Sequence, residues 1–321
     1  MKERLLIAVD WGTSHLRAYL CHQALVSHSS SSIELSLKEW KEGAGVLKIA
    51  HDFESELFNV LQPWLDKHGK LPIIMMGQIG SSIGWRETPY LECPVTPSAV
   101  AAHCLHFECR SHQIAIVPGV SCTHNNGMRD VMRGEEMQVL GWLQLAKAHQ
   151  SGEHIICLPG THTKWVRVAD GKIHVFKTAL TGELFDLLSH GSVLIQKRSD
   201  TFDFNTYEQS VRFTLKSDSS SFSHELFSVR SEQLFGELAP ENSQAYLSGI
   251  LIGSDVRAAL NATEWSLQPG TQISVIGAKL VSNCFAKALQ LAGMETIIYS
   301  EKQTSLNGIA IVNQISNQIA A

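Results

Sequence analysis

Apolar and polar positions alternate or cluster with a rhythm that changes along the chain. Leu5–Val9 is a short apolar run, and Leu16, Ala18 and Leu20 then alternate with Arg17 and Tyr19. A continuous run followed by period-two alternation predicts a buried strand, a tight turn and a half-buried strand. The same layout returns at 154–168, HIICLPGTHTKWVRV. Apolar residues at 53, 57, 58, 60, 61 and 64 lie on one helical face, predicting a helix over 53–64. Pro72–Met76 and Ile114–Val117 read as buried strands, and 135–148 as a helix opening after Gly134. Asp170-Gly171 between Trp165–Val168 and Ile173–Phe176 signals a hairpin. Further on, the pattern predicts helices over 245–260, 283–292 and 306–319, with strands at 273–276 and 296–299. The polar stretch 199–223, with its run SDSSSFS, reads as a mobile insertion or a helical excursion.

Strands grouped at the start of each half, with helices alternating later, predict an α/β protein with mixed sheets. The repeated hairpin favours two similar domains, with boundaries expected at 1–148 and 149–304 and a last helix, 305–321, returning to the first. A length of 321 residues accommodates this.

Composition narrows the picture only a little. Hydrophobic residues make up 44% and charged residues 18%, as in an ordinary globular enzyme. A formal charge of −5 leaves no basic footprint, so nucleic acid is not an expected partner. No apolar stretch is long enough to span a membrane, and Asp10 comes too early for a signal peptide. The seven cysteines are odd in number and lack a CxxC pair, which points to reduced thiols in a cytoplasmic protein.

The candidate chemistry sits at the turns. Asp10 ends the first strand beside Gly12 and Thr13; a carboxylate there can hold Mg²⁺ while the turn's N–H groups and the Thr hydroxyl receive phosphate oxygens. An Asp-capped turn is the plainer alternative. Gly160, Thr161, Thr163 and Lys164 form the second turn, which lacks Walker spacing but offers donors to a β- or γ-phosphate. Two such turns predict a nucleotide triphosphate held by both. Asp130, Arg133, Glu135 and Glu136 gather charge before and within the first turn of a helix. One of the acids can take a proton from an attacking hydroxyl, and Arg133 can fork a substrate carboxylate; helix-dipole complementarity also explains the acids. The loop 77–94, GQIGSSIGWRETPYLECP, offers Gly80, Ser81, Ser82, Trp85 and Tyr90 to a polyol, although Trp85 alone reads more simply as packed inside. His103, Cys104, His106, Cys109 and His112 fit no standard zinc spacing and read as a helix with surface histidines.

Several of these segments together resemble the 2-dehydro-3-deoxygalactonokinase family. They are DWGTSHLRAYL, the 77–94 loop, VPGV, DVMRGEEMQVLG, LPGTHTKWV, TALTGELFDLLSHGSVL, LFSVR, YLSGILIGSDV and VIGAKL, in order from Ile7 to about Leu291. The resemblance implies an actin/hexokinase-like ATPase with two ribonuclease-H-like domains around a cleft. It implies ATP-dependent transfer to the 6-hydroxyl of a sugar acid, with Mg²⁺, domain closure and a possible homodimer. It makes 10–13 and 160–164 the phosphate motifs and Gly277-Ala278 the adenosine motif, with 245–253 and Asn307-Gly308 in helices nearby. The catalytic acid would lie near the helix start at Gly134, with Glu135 and Asp130 ranked ahead of Glu136. The chain departs from the family in the 77–94 loop, where Gln78 replaces Met and Ser82 replaces Arg, and in TKW for SKW. A polyphosphate or guanosine-pentaphosphate phosphohydrolase shares the superfamily hairpins, and a nucleotide-gated actin-like protein is the non-enzymatic alternative.

Overall fold

The computed structural model describes residues 4–25, 33–50, 52–217 and 222–319. The chain divides into two compact units: 1–153 with 168–175 and 301–321, and 154–167 with 176–300.

In the first unit, β1 (Arg4–Trp11), β2 (His15–Leu25) and β3 (Ile33–Ala44) form an antiparallel meander. Helix α1 (Phe53–His68) follows, then β4 (Ile73–Met76), β5 (Tyr90–Glu92) and α2 (Pro97–Ala102). Strands β6 (Leu105–Cys109), β7 (His112–Ile116), β8 (Gly119–Thr123) and β9 (Arg129–Met132) lead into α3 (Glu135–Trp142). The main sheet runs β3-β2-β1-β4-β7-β6, and β5-β8-β9 make a smaller one. Strand β4 lies parallel to β1 and to β7.

The predicted periodicities account for this core. Leu5, Ile7, Val9 and Trp11 share one face of β1 and join Leu57, Phe58, Leu61 and Trp64 of α1 in one buried cluster, while Leu6 and Ala8 are buried on the other face. Helix α1 begins where Asp52 accepts the Ser55 N–H at 3.1 Å and ends at Gly69, whose φ of 75° suits glycine.

The second sheet is built from β10 (Glu153–Leu158), β11 (Thr163–Ala169), β12 (Lys172–Ala179), β13 (Gln272–Gly277) and β14 (Glu295–Ser300). Its order is β12-β11-β10-β13-β14. Helices α4 (Thr181–Gly191), α5 (Phe204–Lys216), α6 (Phe222–Leu234), α7 (Ser243–Leu260) and α8 (Lys279–Leu291) accompany it. Helix α9 (Glu301–Ile319) closes the chain and packs on α3 in the first unit. Numbered by first appearance, five strands of each main sheet follow the order three, two, one, four, five. This is the ribonuclease-H-like arrangement, stated twice.

Two expectations need correction and a third is decided between its alternatives. Residues 103–112 are not a helix: they lead into and form the β6–β7 hairpin, reversed at Arg110 and Ser111, whose φ values are 48° and 64°. Leu105, Phe107 and Cys109 face inward in alternation with His106 and Glu108, and this period of two outweighs the histidine cluster. The helix after Gly134 ends at Trp142 rather than 148. The stretch 199–223 carries α5, a helical excursion, while 218–221 of its serine run lies outside the described residues.

Candidate active site

Asp10, next to last in β1, pairs with Met76, the last residue of β4, so the carboxylate sits at the carboxyl ends of two parallel strands, where open α/β sheets place ligands. Gly77 follows with φ 91°, and a Cβ built there would lie 2.9 Å from the Trp11 carbonyl oxygen and 3.3 Å from Asp10 Oδ1. Gly134, φ 112°, approaches in turn: its Cβ would stand 3.6 Å from Gly77 Cα. Two glycines thus let the start of α3 close upon the Asp10 strand end. Burial pushes the Asp10 carboxyl up to about 6; Arg17 beside it pulls the other way, and Glu135 and Glu301 add to the rise.

At the α3 start the two glutamates have different surroundings. Glu135 is partly exposed, and its Oε2 accepts the Arg133 backbone N–H at 3.2 Å. Glu136 is wholly buried. Its Oε2 accepts the Gly134 N–H at 2.6 Å, and its Oε1 has no hydrogen-bond partner. Burial, reinforced by Glu135, raises this carboxyl to about 8. Asp130 is held elsewhere. It pairs with Cys122 in the β8–β9 ladder, its Oδ1 accepts the Val131 N–H at 2.7 Å, and its Oδ2 lies 3.7 Å from His124 Nε2.

Arg133 is buried, and its guanidinium is fixed on neutral oxygens. Nη1 donates to Thr88 Oγ1 at 2.5 Å, Nη2 to the Thr88 carbonyl at 2.8 Å, and Nε reaches the Tyr90 hydroxyl at 3.4 Å. The group also lies 4.3 Å from the centre of the Tyr90 ring. A Cβ on Gly80 would come within 2.8 Å of Nη1 and 2.7 Å of Thr88 Oγ1, so a side chain there would push on the fork. The rest of the 77–94 loop is distributed differently. Ser81 is buried and donates to the Gln78 carbonyl at 2.7 Å. Ser82 is exposed, and Trp85 packs edge-on against Phe107 at 5.2 Å.

The first turn is closed by Gly12 N–H to the His15 carbonyl at 2.9 Å, with Thr13 exposed. The second is braced by α4. The Glu183 N–H donates to the Thr161 carbonyl at 2.9 Å, and the Glu183 carboxylate meets His162 Nε2 at 2.5 Å. Gly182 lies so close to the Gly160 carbonyl that any side chain would overlap it. Gly160 and Thr161 are exposed, whereas Thr163 and Lys164 are buried.

Beneath this turn stands a group missed in the sequence, Asp255 of α7. It accepts Trp165 Nε1–H at 2.8 Å and the Thr181 hydroxyl at 2.6 Å. Burial lifts its carboxyl to about 6 despite these bonds. Thr163 Oγ1 is near enough to favour the charged form of Asp255, yet has no partner within hydrogen-bonding distance. Thr88, His162 and Glu183 were also missed. For Asp255 the available signal was an acid in an otherwise apolar helical run, YLSGILIGSDV.

Gly160 and Ala278, from motifs more than a hundred residues apart, line one cavity of about 320 Å³. Its walls include Phe185, Phe202, Leu251 and Phe285, and α8 begins at its edge. Gly277 is pressed against Pro159, a Cβ there falling 2.9 Å from the Pro159 carbonyl oxygen. An apolar slot beside a glycine turn and a helix N-terminus suits a flat heterocycle joined to phosphates.

Twin sheets of this order make up an actin/hexokinase-like ATPase fold, and the curated relatives place the chain among its phosphotransferases. A model of the 2-keto-3-deoxy-galactonokinase family matches residues 10–312. A Rhizobium meliloti protein named as a 2-dehydro-3-deoxygalactonokinase is 35% identical over 259 residues, 79% of each chain. The 2-dehydro-3-deoxygalactonokinase of Escherichia coli is 30% identical over 257 residues, 78% of each. A crystal structure described as a 2-dehydro-3-deoxygalactonokinase protein from Sinorhizobium meliloti superposes with a TM-score of 0.80 at 28% identity, covering 98% of this chain and 99% of that one. The chain therefore belongs to the 2-keto-3-deoxy-galactonokinase family, which makes it a sugar-acid kinase and favours neither the phosphohydrolase nor the non-enzymatic alternative.

Proposed function

We propose that this chain transfers the γ-phosphoryl group of ATP to the 6-hydroxyl of 2-dehydro-3-deoxy-D-galactonate. The observation that carries the acceptor assignment is the buried Arg133 fork. A guanidinium has five N–H groups; three are engaged by Thr88 and Tyr90, all on neutral oxygens. The other two suit the carboxylate of a sugar acid, and the fork's fixed plane favours two oxygens over one. Glu135, partly exposed beside Asp10, is the base that orients and deprotonates the hydroxyl as its oxygen attacks phosphorus and ADP leaves.

In the second unit, the slot at Ala278 takes the adenine, and Gly160, Thr161, Thr163 and Lys164 serve the phosphates; Gly12 and Thr13 do so in the first. Donors aimed at the transferring group provide most of what phosphoryl transfer needs. Mg²⁺ fits this donor set. It accepts few protein ligands and shares its shell with phosphates and water, so a single strand-end carboxylate suffices on the protein side. Asp10 would hold it with the nucleotide phosphates, where it supplies neutralising charge. Seven cysteines, an odd number without a CxxC pair, support a cytoplasmic setting.

An ATP-coupled screen over 2-keto-3-deoxy sugar acids, including the gluconate-derived epimer, tests the assignment. The expected result is turnover with the galactonate-derived acid well above its epimer. Phosphate release without any sugar acid, at a rate matching the coupled reaction, would overturn it.

A further inference from the structure

We propose that Glu136 is a positioning residue that works as a neutral carboxylic acid, fastening the first turn of α3 through Gly134 so that Glu135 faces Asp10. The proposal rests on reading the α3 start as the catalytic end. Adjacent glutamates at a helix start look equivalent in sequence, but here they are not. Glu135 is partly exposed; Glu136 has no exposed surface, one oxygen on the Gly134 N–H and the other without a partner. An ionised carboxylate with an unpaired buried oxygen is costly, and a neutral acid is the form such a pocket tolerates.

The surrounding charges favour the same form. On its own segment Glu136 meets the negative Glu135 and the positive Arg133. Arg133 is already shared with Thr88 and Tyr90. Strand β1 brings Asp10, with Arg17 opposite it on β2. Helix α9, packed along α3, carries charge only at Glu301 and Lys302 in its first turn. Three ionised acids around one helix start would repel one another, and protonation of the buried one relieves that repulsion. Gly134, at φ 112°, adopts a turn open to glycine, and the short Glu136 bond fixes it against the first turn of α3.

The test uses Glu136→Gln, Glu136→Ala and Glu135→Gln. Glutamine reproduces the neutral acid in shape and can still accept the Gly134 N–H. Glu136→Gln should keep kcat at pH 7 within about threefold, whereas Glu135→Gln should lose on the order of a hundredfold or more as a missing base does. Glu136→Ala should lose at least about tenfold in kcat through misplacement of Glu135. An activity-independent readout accompanies these: melting temperature against pH for the wild type and Glu136→Gln. The buried acid keeps its proton when folded, so between pH 4.5 and about 8 the wild type should lose stability more steeply than Glu136→Gln. Parallel melting curves, a Glu136→Gln loss equal to that of Glu135→Gln, or a fully active Glu136→Ala would each overturn the proposal. If Glu136→Ala does not fold, the glutamine variant and the melts decide. If the sugar-acid assignment itself fails, the melts still decide.

Discussion

Arg133 shows how one side chain links the loop, the small sheet and the helix start. It takes Thr88 from the 77–94 loop and Tyr90 from β5, and it leads directly into Gly134 and α3. Arg133→Lys preserves the charge but not the fork: an ammonium cannot bridge the Thr88 hydroxyl and carbonyl while also spanning two carboxylate oxygens. Losing one charge-assisted bond costs about 1.5–3 kcal/mol, so KM for the sugar acid should rise on the order of ten- to a hundredfold. KM for ATP should stay near its starting value, because the nucleotide contacts proposed here do not involve Arg133. Steady-state kinetics with each substrate varied in turn separate the two constants, and a rise confined to ATP would contradict the role. Asp10→Asn removes the carboxylate proposed to meet Mg²⁺ while preserving shape. Its turnover should collapse by about a thousandfold or more, the scale of a lost electrostatic element in a preorganised site, with far-ultraviolet circular dichroism unchanged. Retained turnover would remove Asp10 from the mechanism.

Helices α3 and α9 cross through glycines, and their packing is a stability statement about whole elements. A Cβ on Gly308 would overlap the Met137 carbonyl oxygen, and one on Gly141 would overlap the Thr304 carbonyl oxygen. Backbone cannot swing aside as a side chain does, so Gly308→Ala should force the helices apart at a cost of about 3 kcal/mol, the upper part of the overpacking range. Denaturant titration would measure it, and an unchanged midpoint would refute the crossing geometry. Such crossings explain which features were legible in the chain. Strands β1, β4, β10 and β13 announce themselves as apolar runs, and the two glycine turns follow from the residues between strands. Helix α1 is legible because its buried stripe and Asp52 cap are local. By contrast, β6 and the first residues of β7 are masked by a histidine cluster that obscures a period of two, although the apolar run from Ile114 is legible as a strand. The site was half legible. Asp10, Arg133 and the α3 acids could be singled out by type and spacing. What separates Glu135 from Glu136 is burial set by tertiary packing, and Asp255 matters through bonds to Trp165 and Thr181, 90 and 74 residues away in sequence.

Across the whole molecule, buried carboxyls give stability an unusual pH dependence. Asp10 and Asp255 are lifted to about 6 and Glu136 to about 8, each chiefly by burial. A raised carboxyl binds its proton more tightly folded than unfolded. Its stabilising contribution is therefore whole below the unfolded value and is lost as pH rises through the folded one. The protein without ligands should melt higher near pH 5 than near pH 8, the reverse of what salt-bridged carboxylates produce. Asp255 isolates one part of this trend, because an asparagine can keep both of its hydrogen bonds. The amide oxygen accepts Trp165 Nε1–H, and the amide nitrogen donates to the Thr181 oxygen. Asp255→Asn should thus match the wild type near pH 4 and exceed it at pH 8 by about 3 kcal/mol, the worth of roughly two pKa units. Calorimetry at the two pH values measures the difference. With 154–167 and 176–300 forming their own compact unit, any resolved second transition should carry the whole gain. Equal melting of Asp255→Asn and wild type at pH 8 would mean that the ionised carboxylate is tolerated beneath the second turn, and the pH trend would then have to arise from the other two acids alone.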